Sequence, residues 1–278
     1  MPDICFANVE PAAPAGRPVL SGSPWQITRK ECQMNAAPDP TGMPTVVLVH
    51  GAFVDGSSWN GVIADLRRRG YPVIAVANPL RSVRGDAAYL RALVDSLPGP
   101  VVLAAHSYGG AVITEAADGA ANVRALVYVA SFSPDVGESV ADLNARFPGS
   151  MLADNIQAVP IPAQDGSADM DQYVKQETYP DFFAPDVPRD TAAVMAATQR
   201  PTAANTLTDS VTRAAWRSIP SWTLVTGQDL AIPPDLQRFL AERAGSTTVE
   251  VAASHAVTVS QPGAVADLID TAARATSM

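Results

Sequence analysis

Lysine, cysteine and histidine are all scarce in this chain of 278 residues. The only lysines are Lys30 and Lys175, so basic charge rests on arginine, and the formal net charge is -9. A nucleic-acid partner calls for a basic patch, and this balance speaks against one. There are two cysteines, Cys5 and Cys32, too few for a disulfide framework. A single Cys5–Cys32 bridge in an oxidising compartment and two free thiols both stay open. Long apolar runs are missing. Those at 46–49 and 101–105 are strand-sized, far short of the ~20 residues of a membrane-spanning helix, so no membrane partner is expected. The N-terminus lacks a basic stretch followed by an apolar one. No secretory signal is expected, and the default location is the cytoplasm.

What is there suits an enzyme domain. Apolar residues make up 47% and charged residues 17%, ordinary values for a globular chain. Residues 1–44 are rich in Pro, Ala and Gly, with one short strand candidate at 25–32. They read as an N-terminal extension, either a loose tail or a segment packed on the main domain or on a second subunit. From Thr45 onward β-branched runs alternate with helical spacing. Strands are expected at 45–49, 72–77, 101–105 and 125–130. Helices are expected at 57–69, capped by Ser57 or Ser58, and at 84–97 and 108–117. The alternation stops between about 132 and 217, where prolines are frequent and no strand-like run occurs; helical patches are plausible at 136–144, 170–178 and 191–197. It resumes with strands at 222–226 and 248–252 and helices at 234–244 and 262–275. The expected organisation is an α/β core domain formed by 45–131 and 218–278. Its mostly parallel sheet is flanked by helices on both faces. An insertion at 132–217 would form a mainly helical cap or lid.

Four signals carry chemistry. The first is Ala105-His106-Ser107-Tyr108-Gly109-Gly110, a buried strand running into a helix with serine at the junction, the context of a nucleophile elbow. The turn needs small residues two positions either side of the serine. Gly109 meets this, and Ala105 replaces the usual glycine. The bland alternative is a helix-capping serine. The second is His50-Gly51-Ala52-Phe53, a loop after the first strand. It can aim the backbone N–H of Ala52, or alternatively Phe53, to form an oxyanion hole with the N–H of Tyr108. A plain turn with a locally packed His50 is the competing reading.

The third signal is an elimination among three histidines. His106 adjoins the nucleophile and should point elsewhere, and His50 precedes the loop. His255, just past the strand at 248–252, sits at the sheet edge where open α/β sheets place their sites. The fourth is Asp229, directly after the strand at 222–226, suited to hold the imidazole in the right tautomer. Asp135, shortly after the fourth strand, is the alternative acid. Trp59 and Trp216 read as packing residues.

These residues resemble the α/β-hydrolase superfamily from about Thr45 to the C-terminus, and Ser107, Asp229, His255 is the chain order of that fold. The opening from His50 to Trp59, the elbow, and the segment from Ser254 to Pro262 are similar to small bacterial-type α/β hydrolases near the methylesterase and hydroxynitrile-lyase branch. The resemblance implies a cap inserted after about Ala130, no cofactor or metal, and hydrolysis of esters or related acyl bonds. Lyases of that branch carry Lys after the histidine and Thr after the His-Gly pair; here Ala256 and Ala52 stand there. Related dehalogenases and epoxide hydrolases use an Asp nucleophile, against Ser107.

The expectation is a serine hydrolase of a small apolar ester-type substrate, acting through Ser107, His255 and Asp229 and an acyl-enzyme. Lactone opening, C–C bond hydrolysis and perhydrolysis fit the same triad, and an inactive ligand-binding relative is a further rival. Phe147, Tyr173, Tyr179, Phe182, Phe183 and Met151 either line an apolar pocket or form the cap's own small core, with the core favoured. Oligomeric state is open, a homodimer among the options.

Overall fold

The computed structural model describes residues 42–162 and 168–276. The candidate strand at 25–32, both cysteines and the extension up to residue 41 lie outside the described residues.

Regular structure begins with the first β-branched run. β1 (Thr45–Val49) leads through a 3-10 turn (Gly56–Trp59) into α1 (Asn60–Arg68). Asp55 caps that turn, its Oδ1 accepting the Ser57 N–H at 2.8 Å, so the cap lies one turn earlier than Ser57 or Ser58. β2 (Val73–Val76), α2 (Val83–Ser96), β3 (Val101–Ser107), α3 (Gly109–Ala116) and β4 (Val123–Ser131) follow. Ser82 Oγ accepts the Gly85 N–H at 3.0 Å and starts α2.

Beyond β4 the chain leaves the sheet. It forms α4 (Val140–Ala145), α5 (Leu152–Asn155), β5 (Ile156–Pro162), β6 (Ala168–Val174), α6 (Tyr179–Phe182), α7 (Arg189–Thr198), β7 (Thr202–Ala203) and α8 (Ala204–Thr208). Helices predominate, but β5, β6 and β7 make a second, antiparallel sheet where the sequence shows no strand and 170–178 reads as helical. Two features hide these strands. Asp171 occupies an inward position of β6 because Arg81 pairs with it at 2.6 Å, which breaks the apolar alternation. Pro160 and Pro162 interrupt β5, which tolerates them as an edge strand.

The chain returns with β8 (Ser221–Thr226), α9 (Pro234–Arg243), β9 (Thr247–Val251), α10 (Val257–Ser260) and α11 (Pro262–Ala275). The main sheet has six strands in the order β2-β1-β3-β4-β8-β9, and every neighbouring pair is parallel. β4 and β8 lie side by side, Leu126 opposite Ser221, so everything between them is inserted into a continuous sheet.

Strand periodicity sorts the core onto two faces. Val46, Leu48, Val102, Ala104 and Val127 pack on Val62 and Leu66 of α1 and on Val265, Leu268 and Ile269 of α11. Val47, Val49, Leu103, Leu126 and Tyr128 face Leu90 and Val94 of α2, Val112 and Ile113 of α3 and Leu236 of α9. Each buried Val, Leu or Ile contributes roughly 1.5–3 kcal/mol. Trp59 is fully buried in the first cluster. Trp216 donates its indole N–H to Pro134 O at 2.9 Å and lies under the Arg243 guanidinium. Both are packing residues, as their setting in the sequence suggests. Parallel strands place the C-terminal ends of β1, β3, β4, β8 and β9 along one edge, and every residue with candidate chemistry follows one of them.

Candidate active site

At the end of β3 the backbone of Ser107 turns into the left-handed region, φ 55°. For a residue with a Cβ such a conformation costs of order 1–3 kcal/mol and persists only where neighbours hold it. A bulge in β4 at Ala130, φ 44°, sets Ser131 opposite Ser107. The Ser131 hydroxyl then donates to Ser107 O at 2.7 Å, and the Phe132 N–H reaches the same oxygen at 3.3 Å. The glycines that follow are sterically required. A Cβ on Gly109 would lie 2.6 Å from Val49 O, and one on Gly110 would lie 2.1 Å from Phe132 O.

Ser107, His255 and Asp229 form one hydrogen-bonded line. Ser107 Oγ lies 3.0 Å from His255 Nε2, and His255 Nδ1 lies 2.8 Å from Asp229 Oδ2. A carboxylate only accepts, so Nδ1 carries the proton and Nε2 is left to accept the serine hydroxyl. All three are buried. Asp229 receives four further hydrogen bonds. Its Oδ1 accepts the N–H groups of Ala231 and Ile232, each at 2.8 Å; its Oδ2 accepts Thr226 Oγ1 and Gln237 Nε2, each at 3.0 Å. These donors stand in for water around a buried charge and fix the carboxylate plane. The line can move the serine proton to Nε2 while Asp229 stabilises the resulting imidazolium.

The β1 loop passes directly against the serine. A Cβ on Gly51 would sit 2.6 Å from Ser107 Cβ and 3.2 Å from Ser107 Oγ, so only glycine allows this approach. Phe53 is held at φ 63°. Among the described residues no acceptor takes the N–H of Ala52, Phe53 or Tyr108, which leaves donors free beside the hydroxyl. His50 fixes the base of the loop. Its Nδ1–H donates to Gly51 O at 2.9 Å, and its Nε2 accepts the Asn78 N–H at 3.1 Å. Burial holds its pKa below the ordinary value, so it is a neutral strut.

The description of an alpha/beta hydrolase family matches residues 46–268. The chain belongs to that family. Two curated relatives agree. "Alpha/beta hydrolase nvfD" of Aspergillus novofumigatus is 27% identical over 253 residues, spanning 83% of this chain and 96% of its own. A carbendazim hydrolyzing esterase of Nocardioides sp. is 30% identical over 171 residues, 51% of this chain and 71% of that one. Among solved structures, polyneuridine aldehyde esterase superposes with a TM-score of 0.71 at 20% identity, covering 82% of this chain and 98% of that one. The family is hydrolytic, and the fold read from the sequence is the observed one.

In this α/β hydrolase the remaining candidates fall into place. His106 does leave the elbow in another direction, running under His255. Its Nε2–H donates to His255 O at 2.8 Å, and the two rings are 4.6 Å apart. Burial, then the neighbouring His255, pushes its pKa well below the ordinary value. The alternative acid Asp135 is not brought to the histidine. It pairs with Arg217 at 2.6 Å and caps the Val136 N–H. Partial burial alone would raise its pKa, but the Arg217 guanidinium and the Val136 N–H, with the charge of Arg243, together hold the carboxyl below the usual range.

The inserted aromatics divide. Phe147 packs on Phe239. Tyr179, Phe182 and Phe183 are fully buried against the site side of the core, and Phe183 stands edge-on to His255 with centroids 4.7 Å apart. Sequence reasoning passed over Gln237, Thr226 and Ser131, and it named Phe183 without placing it against His255. Gln237 had a readable signal. It lies on the α9 stripe of Leu236 and Leu240, where an amide has to be buried. Thr226 acts locally, three residues before Asp229, whereas Ser131 and Phe183 depend on contacts across separate segments.

Proposed function

We propose that this protein is a serine hydrolase that cleaves a carboxylic ester or related acyl bond of a small apolar substrate through an acyl-enzyme. Ser107 is the nucleophile, His255 the general base and then acid, and Asp229 the group that orients and charge-balances the imidazole. The backbone N–H of Tyr108, with that of Ala52 or alternatively Phe53, stabilises the oxyanion. Each such donor is worth about 2.7–4 kcal/mol in other enzymes. The insertion at 132–217 acts as a cap over the site.

The observation that carries this reading is the buried line from Ser107 Oγ through His255 to Asp229, with contacts of 3.0 and 2.8 Å. The free N–H groups beside the hydroxyl support it. Chemistry then proceeds in two halves. His255 Nε2 takes the Ser107 proton as Oγ bonds to the carbonyl carbon, and returns it to the departing alcohol. Water, deprotonated by the same nitrogen, releases the acid and restores Ser107. The esterase named among the relatives supports an acyl-bond substrate.

A panel of p-nitrophenyl esters and a fluorophosphonate label tests the proposal. Ser107→Ala should lose both turnover and labelling, with turnover falling by about 10⁶-fold as in another triad hydrolase, while the fold is kept. A Ser107→Ala protein that still labels would sink the assignment. An intact protein with no sustained release would favour a ligand-binding relative.

A further inference from the structure

The inserted stretch 179–186 grips both loops on which the proposed hydrolysis depends. At one end Tyr179 Oη donates to Phe53 O at 3.2 Å. Phe53 lies in the loop that runs against Ser107, and its left-handed backbone needs an external hold. At the other end Asp186 accepts twice from Ser254, the residue just before His255. Its Oδ2 takes the Ser254 N–H at 2.9 Å and its Oδ1 the Ser254 hydroxyl. Ser254 Oγ in turn accepts the Ala256 N–H at 3.1 Å, so the carboxylate fixes the backbone on both sides of His255. Phe183 lies between the two grips. It stacks on Tyr179 with centroids 4.5 Å apart and meets the His255 ring edge-on.

We infer that Tyr179 and Asp186 are positioning residues that assemble the catalytic line from within the insertion, in addition to any part the insertion plays in enclosing substrate. The inference rests on the serine-hydrolase reading above. The oxyanion loop follows β1 and the base loop follows β9, strands four places apart in the sheet order but joined here by one eight-residue stretch. A shift of about 1 Å between nucleophile, base and oxyanion donors is enough to cost 10²-fold in rate. Two polar grips on the two loops, that of Tyr179 buried and that of Asp186 part-buried, oppose such a shift.

The test uses the full chain with Tyr179→Phe, Asp186→Ala and Asp186→Asn. Three quantities are read: kcat and KM for p-nitrophenyl acetate, the second-order rate of labelling by a small fluorophosphonate, and the melting temperature. Tyr179→Phe keeps the stack on Phe183 and removes only the hydroxyl. Each of Tyr179→Phe and Asp186→Ala should lower kcat and the labelling rate in parallel by about 10- to 100-fold, with KM for this small ester within about twofold. Asp186→Asn should recover most of the loss, because its amide oxygen still accepts the Ser254 N–H. Should Asp186→Ala fail to fold, Ser254→Ala reads the same grip from the other side. Variants that label as fast as the unmodified protein, or lose only KM, overturn the inference and leave the hydrolase reading intact. An unmodified protein that neither labels nor turns over ester overturns both.

Discussion

His106 and His255 stand ring to ring, 4.6 Å apart, and the Nε2–H of His106 holds the carbonyl oxygen of His255 at 2.8 Å. The residue before Ser107 thus anchors the backbone of His255. His106→Phe fills the space but leaves that buried carbonyl without its donor, which costs about 1–3 kcal/mol. For a domain of this size that lowers the melting temperature by roughly 2–4 °C per kcal/mol. Ester turnover should fall with it by about tenfold or more, since the base loses its tether. Calorimetry and initial rates check both; a variant as stable and as fast as the parent would deny the tether.

Two buried neutral histidines make stability depend on pH. Burial lowers the pKa of both His50 and His106 from the ordinary 6.5. The unfolded chain therefore takes up protons near that value that the native protein does not. Their contribution is fully present above about pH 6.5 and is lost as the pH falls below it, at about 1.4 kcal/mol per pH unit for each histidine. Asp86, whose carboxyl burial pushes up, acts in the opposite sense at more acid pH. Urea denaturation between about pH 7.5 and 5.5 should show declining stability, and a flat profile over that window would count against it.

The choice of acid has a sharp test in two asparagine variants. Asp229→Asn keeps the shape of the site but weakens the hold on the Nδ1–H tautomer, and in another triad enzyme such a change lowers kcat by about 10⁴-fold. Asp135→Asn removes only the exposed Arg217 pair, worth at most about 1 kcal/mol, and leaves kcat unaltered. Rates that drop for Asp135→Asn and hold for Asp229→Asn would reverse the assignment.

Both the sheet and the hydrogen-bonded line of Ser107, His255 and Asp229 were legible because each rests on local pattern. Buried parallel strands print β-branched runs such as 45–49, and with three histidines in the chain elimination left His255. The second sheet was not legible. Asp171 looks like a surface residue until Arg81, 90 positions away, pairs with it. The grip of Asp186 on Ser254 spans 68 positions, and no spacing rule links such residues. Asp55 displaced the expected serine cap because several cap-competent residues crowd one turn and backbone direction chooses among them.

Ala105 departs from the strict elbow motif, and the structure makes its cost readable. The residue is fully buried at the end of β3, where its methyl packs without strain. Ala105→Gly should leave kcat within about twofold and lose roughly 1 kcal/mol, from strand entropy and one buried methyl group. Gly110→Ala is the contrast. Its Cβ would fall 2.1 Å from Phe132 O, a backbone atom that cannot step aside, so a poorly folded or insoluble protein is expected. Circular dichroism and labelling on the pair decide whether position 110, more than 105, enforces the turn.

Gln237 supports Asp229 from beneath. Its Nε2 donates to Asp229 Oδ2 at 3.0 Å and to Ile232 O at 2.9 Å, and its Oε1 accepts the Thr226 N–H at 3.0 Å. The side chain is fully buried, so Gln237→Leu keeps volume while orphaning a backbone donor and acceptor and removing one ligand of the carboxylate. Each orphan costs about 1–3 kcal/mol, and the melting temperature should fall clearly. Free to swing, Asp229 would orient His255 less well, so kcat should drop by about 10- to 100-fold with KM little changed, a loss typical of supporting groups behind a site. Equal kcat in Gln237→Leu and parent, with only the melting temperature lowered, would reduce Gln237 to a packing residue.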